Sequence, residues 1–401
     1  MQVTKATAAP YLRTPALLWM ALACGLCAGG NYFNQPLLHS IAQHFAVGEG
    51  VAAMSVTLAQ SAYALGLLLL VPLGDMLERR SLAMVLMLLA ATGQALAGWA
   101  TQVEVFMLGT LMAGVFSVAA QVLVPMAAAL AAPGRSGRNV GTVMTGLLLG
   151  ILLARSVAGM VSAWGGWQLV YQGSAVLMVL LACVLRQVLP ASQNPQATRY
   201  GAVLSSMLHL LKTHAVLRQR TWVSALAFAS VSVLFATMAL QLAAEPLSLN
   251  DAEIGWVGLS AAAGALVASQ AGRWVDRGWG RTTCAVGALA MLLAWPMLWW
   301  GGAALTWFVL GLVVIDLGLQ CINITNQASV AQLLPAARSR MNAVYMTGYF
   351  AGAASGSAMG SLAWYLGGWS AACALGMVLA MVAAWGTVRL RRAVAPLPAG
   401  V

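Results

Sequence analysis

The sequence predicts an all-α membrane protein, with twelve transmembrane helices arranged as two pseudo-symmetric six-helix halves. Three observations predict it. Hydrophobic residues make up 61% of the 401 and charged residues only 7%, too few charges to solvate a soluble chain of this length. Twelve apolar runs follow one another, each near the roughly 20 residues that a bilayer crossing needs. The charges are also sorted. Of twenty Lys and Arg residues, all but Arg155 fall in segments that one alternating topology places on a single side.

The runs are 15–36, 51–73, 81–100, 104–130, 140–163, 168–188, 221–243, 254–274, 282–301, 304–331, 341–366 and 369–389. They are continuously apolar rather than alternating, which predicts helices and excludes barrel strands. Lys5 and Arg13 before the first run look like the start of a signal peptide. The run is long and eleven more follow, so it is expected to stay as an uncleaved first helix. The odd-numbered loops carry Glu49, Glu104, Glu245, Asp251 and Glu253 with no Lys or Arg. The even-numbered loops carry Arg79, Arg80, Arg135, Arg138, Arg199, Lys212, Arg218, Arg220, Arg273, Arg277, Arg281, Arg338 and Arg340. Basic loops stay cytoplasmic, which predicts a multi-pass protein of the bacterial inner membrane with both termini in the cytoplasm. Orientation accounts for the net charge of +11, so nucleic acid is not an expected partner. Anionic lipid headgroups are.

Residues 189–220 form the one long polar stretch, LPASQNPQATRYGAVLSSMLHLLKTHAVLRQR, with no acid. It predicts a cytoplasmic linker between an N-terminal half (14–188) and a C-terminal half (221–390), six crossings each and therefore alike in orientation. Val71-Pro-Leu-Gly-Asp75-Met-Leu-Glu-Arg79-Arg80 after the second crossing is matched by Gly272-Arg-Trp-Val-Asp276-Arg277-Gly-Trp-Gly-Arg281 after the eighth. Each places an Asp a few residues ahead of Arg in a tight turn, as a duplication requires.

These turns resemble the loop signature of the major facilitator superfamily, G-x-x-x-D-R-x-G-R-R. Asn31-Tyr-Phe-Asn34-Gln35-Pro36, Gly146-Leu-Leu-Leu-Gly150 with Ala154-Arg155, Gly165-Gly-Trp-Gln, Asp316-Leu-Gly-Leu-Gln320 and Arg338-Ser-Arg-Met-Asn342-Ala-Val-Tyr345 resemble its bacterial drug:proton antiporter-like branch. Val71, Met76 and Glu78 depart from the signature, and the fifth crossing lacks the Gly-Pro pair typical of antiporters. The resemblance implies that Asp75 with Arg79 and Arg80, and Asp276 with Arg277 and Arg281, gate the cytoplasmic side. It also implies that the first, fourth, seventh and tenth helices line a central cavity. On the residues alone, Asp75 accepts hydrogen bonds from neighbouring Arg side chains and a helix N-terminus, or the turns are ordinary solvated ones.

An ionisable group inside a bilayer costs about 2.5–3.5 kcal/mol on the lenient insertion scale and marks function by default. Arg155 and Asp316 are the two cases. Gln320, Asn323 and Gln327 follow Asp316 at offsets of four, seven and eleven, one helical face that must meet protein or water. Asp316 is the expected proton carrier. Arg155 either holds an anionic group of the substrate or pairs with Asp316. Asn31, Asn34, Gln35, Gln60, Tyr63, Gln121 and Tyr345 complete the expected polar chamber, each equally suited to bridging helices. The glycines at 348, 352, 356 and 360, and those at 146 and 150, form ridges that suit close packing or a rocking interface between the halves.

The reading is a secondary carrier: a monomer moving a small organic solute by alternating access, with proton-coupled export ahead of proton-coupled uptake of an anionic or polar metabolite. No cofactor or metal is expected. Cys24-Ala-Leu-Cys27 has no second ligand pair, His39, His44, His209 and His214 lie near the membrane faces, and no phosphate-binding loop is present, which argues against an intramembrane enzyme or ATP drive. A non-transporting sensor is the remaining alternative.

Overall fold

The computed structural model describes residues 12, 14–132, 135–192, 200–260, 271, 273–334 and 338–393. Among these, every regular element is helical. Ten helical stretches are long and apolar enough to cross a membrane, and the last, Arg340–Arg389, spans 50 residues. That stretch contains two crossings, because backbone geometry breaks at Gly367 and at Gly368 (φ 60°), the left-handed conformation that glycine adopts without strain. The body of the eighth crossing, 261–270, lies outside the described residues; its start, Asp251–Leu259, is helical. The result is the all-α two-half membrane bundle that the apolar runs predict.

Two crossings are less regular than their hydropathy implies. The first runs as a helix from Thr14 to Gly29 and tightens into 3-10 turns at Gly30–Tyr32 and Gln35–Leu37. It resumes as Leu38–Phe45, so it extends well past residue 36. The fourth divides into Val103–Phe116 and Ala119–Ala129. The linker is not wholly irregular: Tyr200–Thr213 is a helix that buries Val203, Met207 and Leu210. Tyr200 donates its hydroxyl to the Leu69 carbonyl at 2.8 Å, and Arg340 donates to Ser206 Oγ at 3.0 Å. The linker helix thus fastens both halves at the end carrying the basic loops, the basic end. Exposed tryptophans ring both ends, with Trp99, Trp164, Trp299 and Trp300 near the acidic loops and Trp222, Trp279 and Trp385 near the basic ones. Such belts mark membrane–water interfaces.

The glycine ridges pack within each half rather than between halves, which corrects the rocking-interface expectation. A Cβ at Gly352 would sit 2.2 Å from the Ala225 carbonyl oxygen, and one at Gly356 2.1 Å from that of Ala229, both on the seventh crossing. Gly146 and Gly150 meet Ala21 and Gly25 of the first crossing in the same way. The equivalent pairs, one with five and seven with eleven, repeat in the two halves. Small residues at such seams let helix backbones approach closely, where dispersion and packing supply the association that lipid cannot.

The seam between halves is built by different glycines. A Cβ on Gly159 of the fifth crossing would lie 2.3 Å from the Asp251 carbonyl oxygen, and one on Gly255 3.0 Å from that of Arg155. Ser156 donates to the Gly255 carbonyl at 2.9 Å. The hydroxyls of Ser40 and Ser162 both donate to Asp251 Oδ2, the latter at 2.8 Å. The acidic end is therefore closed by a carboxylate of one half held by two hydroxyls of the other, over a glycine contact too tight for any side chain.

Candidate functional site

Arg155 and Asp316 come from opposite halves and share one chamber, yet they form no ion pair. Arg155 is 6% exposed. Its Nε donates to Gln35 Oε1 at 2.6 Å, and its guanidinium carbon lies 3.9 Å from the Phe235 ring centre and 4.8 Å from that of Tyr32. The 3-10 turn in the first crossing is what brings Gln35 and Tyr32 to this position. A guanidinium fixed at Nε and over aromatic faces keeps its two Nη groups as a fork for a planar anion. Among the described residues no side chain takes that fork.

Asp316 is half-exposed, as are Gln320, Asn323 and Gln327 below it on the same face, whereas Leu312, Ile315, Leu319 and Ile322 on the opposite side are buried. The 3.6-residue period read from the sequence thus corresponds to a real polar stripe, partly exposed, along one face of the helix. Arg155, Tyr32 and Tyr349 are the charged or titratable groups within electrostatic reach of Asp316, and Gln320 lies beside its carboxyl. Further down the stripe, Tyr345 donates to Asn323 Oδ1 at 2.7 Å and accepts from the Ser224 hydroxyl at 2.9 Å, and Gln327 donates to Asn342 Oδ1 at 3.0 Å. Aromatic rings close the chamber across the halves. Tyr63 of the second crossing meets Phe350 of the eleventh at 4.5 Å, and Phe228 stacks on Tyr349 at 4.2 Å. Gln121 donates to the Tyr63 hydroxyl at 3.3 Å. Gln60 is buried beside Tyr32.

Asn31 and Asn34 do not join this group. Asn31 donates to the Cys27 carbonyl one turn back, and Asn34 to Ser55 Oγ at 3.1 Å. Both line a small separate pocket in the N-terminal half, with Gln94 and Thr110. On a helix that is apolar nearly all round, sequence offers no signal for which way an amide turns.

In the first loop turn the side chain of Asp75 lies outside the described residues, as does that of Asp276 in the second. Arg79 donates from Nε to the Gly74 carbonyl at 3.0 Å, and Arg80 from Nη1 to that of Leu189 at 2.9 Å. The carboxylate that organises the turn among the described residues is Glu78. It caps the third crossing by accepting from the backbone of Arg80 and Ser81, and it also accepts the backbone N–H of Ser192 at 2.9 Å. Burial pushes its carboxyl upward, but these bonds and one from the Ser81 hydroxyl outweigh it and hold the group below its ordinary range. An acid directly before Arg-Arg-Ser at a helix start was the available signal. In the second turn Gly278 takes φ 85° and Arg277 is exposed.

The seam residues Asp251, Ser40 and Ser162 were missed too. Asn250-Asp-x-Glu253 reads as a helix start, and it does form a capping box. Its second role, crossing to the other half, leaves no local trace.

The family model described as Major Facilitator Superfamily matches residues 20–243 and 220–400. The uncharacterized transporter YgaY of Escherichia coli O157:H7 is 44% identical over 370 residues, covering 92% of this chain and 94% of that one. Among solved structures, the nucleoside transporter NupG superposes with a TM-score of 0.75 at 13% identity, over 93% of this chain and 98% of that one. A peptide transporter, POT, in complex with sulfate gives a TM-score of 0.75 at 15% identity over 96% of each chain. At such identities the structural likeness establishes the fold alone.

Proposed function

The chain belongs to the Major Facilitator Superfamily and is a membrane transporter, and on that premise we propose a proton-coupled carrier that exports a small organic solute across the bacterial inner membrane by alternating access. The observation that carries the proposal is the charge placement. Arg155 and Asp316 stand on opposite halves, within electrostatic reach and unpaired. A fixed structural ion pair would have closed the gap, since a buried charge left uncompensated is costly. Two charges held apart in a polar chamber suit groups that arrive and leave.

Asp316 is the proposed proton carrier and Arg155 the anchor. The bases gathered at one end support a cytoplasmic basic end with both termini there. The closed acidic seam and the half-exposed stripe down to Gln327 support an inward-facing state, with substrate entering from the cytoplasm. The two turns at the basic end are the proposed gates of the opposite state, and the protein works as a monomer.

Transport into inside-out vesicles tests this reading. A pH gradient, acid inside, should drive accumulation of a substrate solute, and Asp316→Asn should abolish that accumulation while sparing solute exchange. Retained uphill transport in the variant removes Asp316 as the carrier. Gradient-driven accumulation found only in right-side-out vesicles reverses the direction.

A further inference from the structure

Resting on the carrier reading, we infer that the chamber recognises a small zwitterion, an amino acid or close analogue, with its carboxylate on Arg155 and its ammonium on Asp316. Arg155 offers its Nη fork to a planar anion, because Nε is taken by Gln35 and neither Nη makes a hydrogen bond to another described residue. Among the described residues no cation of the chain pairs with Asp316, which keeps partial exposure. The pair is neutral as it stands. A solute with one charge leaves a net charge at membrane depth, which is expensive; a zwitterion adds none and satisfies both partners with charge-assisted hydrogen bonds. Tyr32 and Phe235 hold the guanidinium between their rings and so fix the direction of its fork.

This class of solute also sets the direction. The groups that face Asp316 are Arg155 of the fifth crossing, Tyr32 of the first and Tyr349 of the eleventh, so no second carboxylate of the described residues competes for its proton. A substrate ammonium and a proton then exclude one another at a single carboxylate. Occupancy by either, not both, is exchange: a proton entering displaces the zwitterion outward. A solute bearing only a carboxylate would instead bind together with the proton, and the two would travel the same way.

The test uses the purified full chain in nanodiscs, with intrinsic tryptophan fluorescence as the binding signal. The probes are the proteinogenic L-amino acids, each set beside its deaminated and decarboxylated analogues, such as L-phenylalanine with 3-phenylpropionate and 2-phenylethylamine. At least one amino acid should bind about tenfold or more tightly than both of its analogues, the loss expected for removing one charge-assisted contact. Arg155→Gln should erase the advantage over the amine, and Asp316→Asn the advantage over the acid. Tighter binding of a single-charge analogue, or no binding by any amino acid, overturns the inference, and the comparison on the parent protein stands even if a variant fails to fold. Flux in proteoliposomes separates the two readings. If 3-phenylpropionate is carried with a proton, the carrier reading survives and the zwitterion does not. An amino acid that binds with the expected preferences but shows no counterflow leaves the site assigned and removes the carrier.

Discussion

Replacing Gly159 by Ala should hold the acidic end open. The new Cβ would lie 2.3 Å from the Asp251 carbonyl oxygen and 3.1 Å from Gly255 Cα, against an ordinary contact of 3.4–4 Å. Both neighbours are backbone, so neither can turn aside, and the fifth and eighth crossings must separate by about an ångström. Overpacking of this kind costs about 1–3 kcal/mol, and here it falls on the closed state alone. The closed-to-open ratio should therefore drop about 5- to 150-fold. Spin labels at Q43C and E245C, exposed positions on opposite halves of the acidic end, report the gap by pulsed electron resonance. Cys183, the exposed one of the six cysteines, is replaced by Ser beforehand. Gly159→Ala should shift the distance distribution outward. Gly352→Ala, equally crowded at 2.2 Å but within one half, should lower the melting temperature and leave the distances alone. An unchanged distribution in well-folded Gly159→Ala refutes the assignment of this seam as the moving contact.

Three further outcomes are expected. Asp251→Asn keeps the size but weakens the bonds from Ser40 and Ser162, each worth about 1.5–3 kcal/mol when the acceptor is charged; the same spin-label pair should report partial opening, smaller than with Gly159→Ala. Gln35→Leu removes the acceptor that fixes Arg155 Nε, and substrate affinity should fall roughly tenfold or more with little change in melting temperature. The Glu78 carboxyl is held below its ordinary range in the folded state, so its contribution is present above the unfolded value and disappears as pH falls through the folded one. Glu78→Gln should flatten the acid limb of the melting-temperature profile, and an unaltered limb counts against the cap.

The crossings, their order and the polar face of the tenth were legible because each is written in a local signal: a run length, a sorted charge, a period of 3.6 residues. Arg155 and Asp316 were visible for the same reason, as charges where hydrocarbon should be. Residues whose meaning depends on a distant partner were not legible. Gly352 and Gly159 look alike in sequence, yet the first packs inside a half and the second between halves. Asn34 and Gln35 are adjacent, but one faces the interior of its half and the other reaches Arg155, because a 3-10 turn begins between them. Where lipid and protein neighbours are equally apolar, hydropathy carries no direction.

Arg155, the proposed anchor, directs its guanidinium to Gln35 while its own carbonyl abuts Gly255 across the halves. A single peptide unit is thus at once the floor of the chamber and a stone in the wall that shuts it. In the proposed carrier, a solute pulling on the guanidinium would strain that wall directly, so occupancy would reach the barrier through one residue, with no intervening relay.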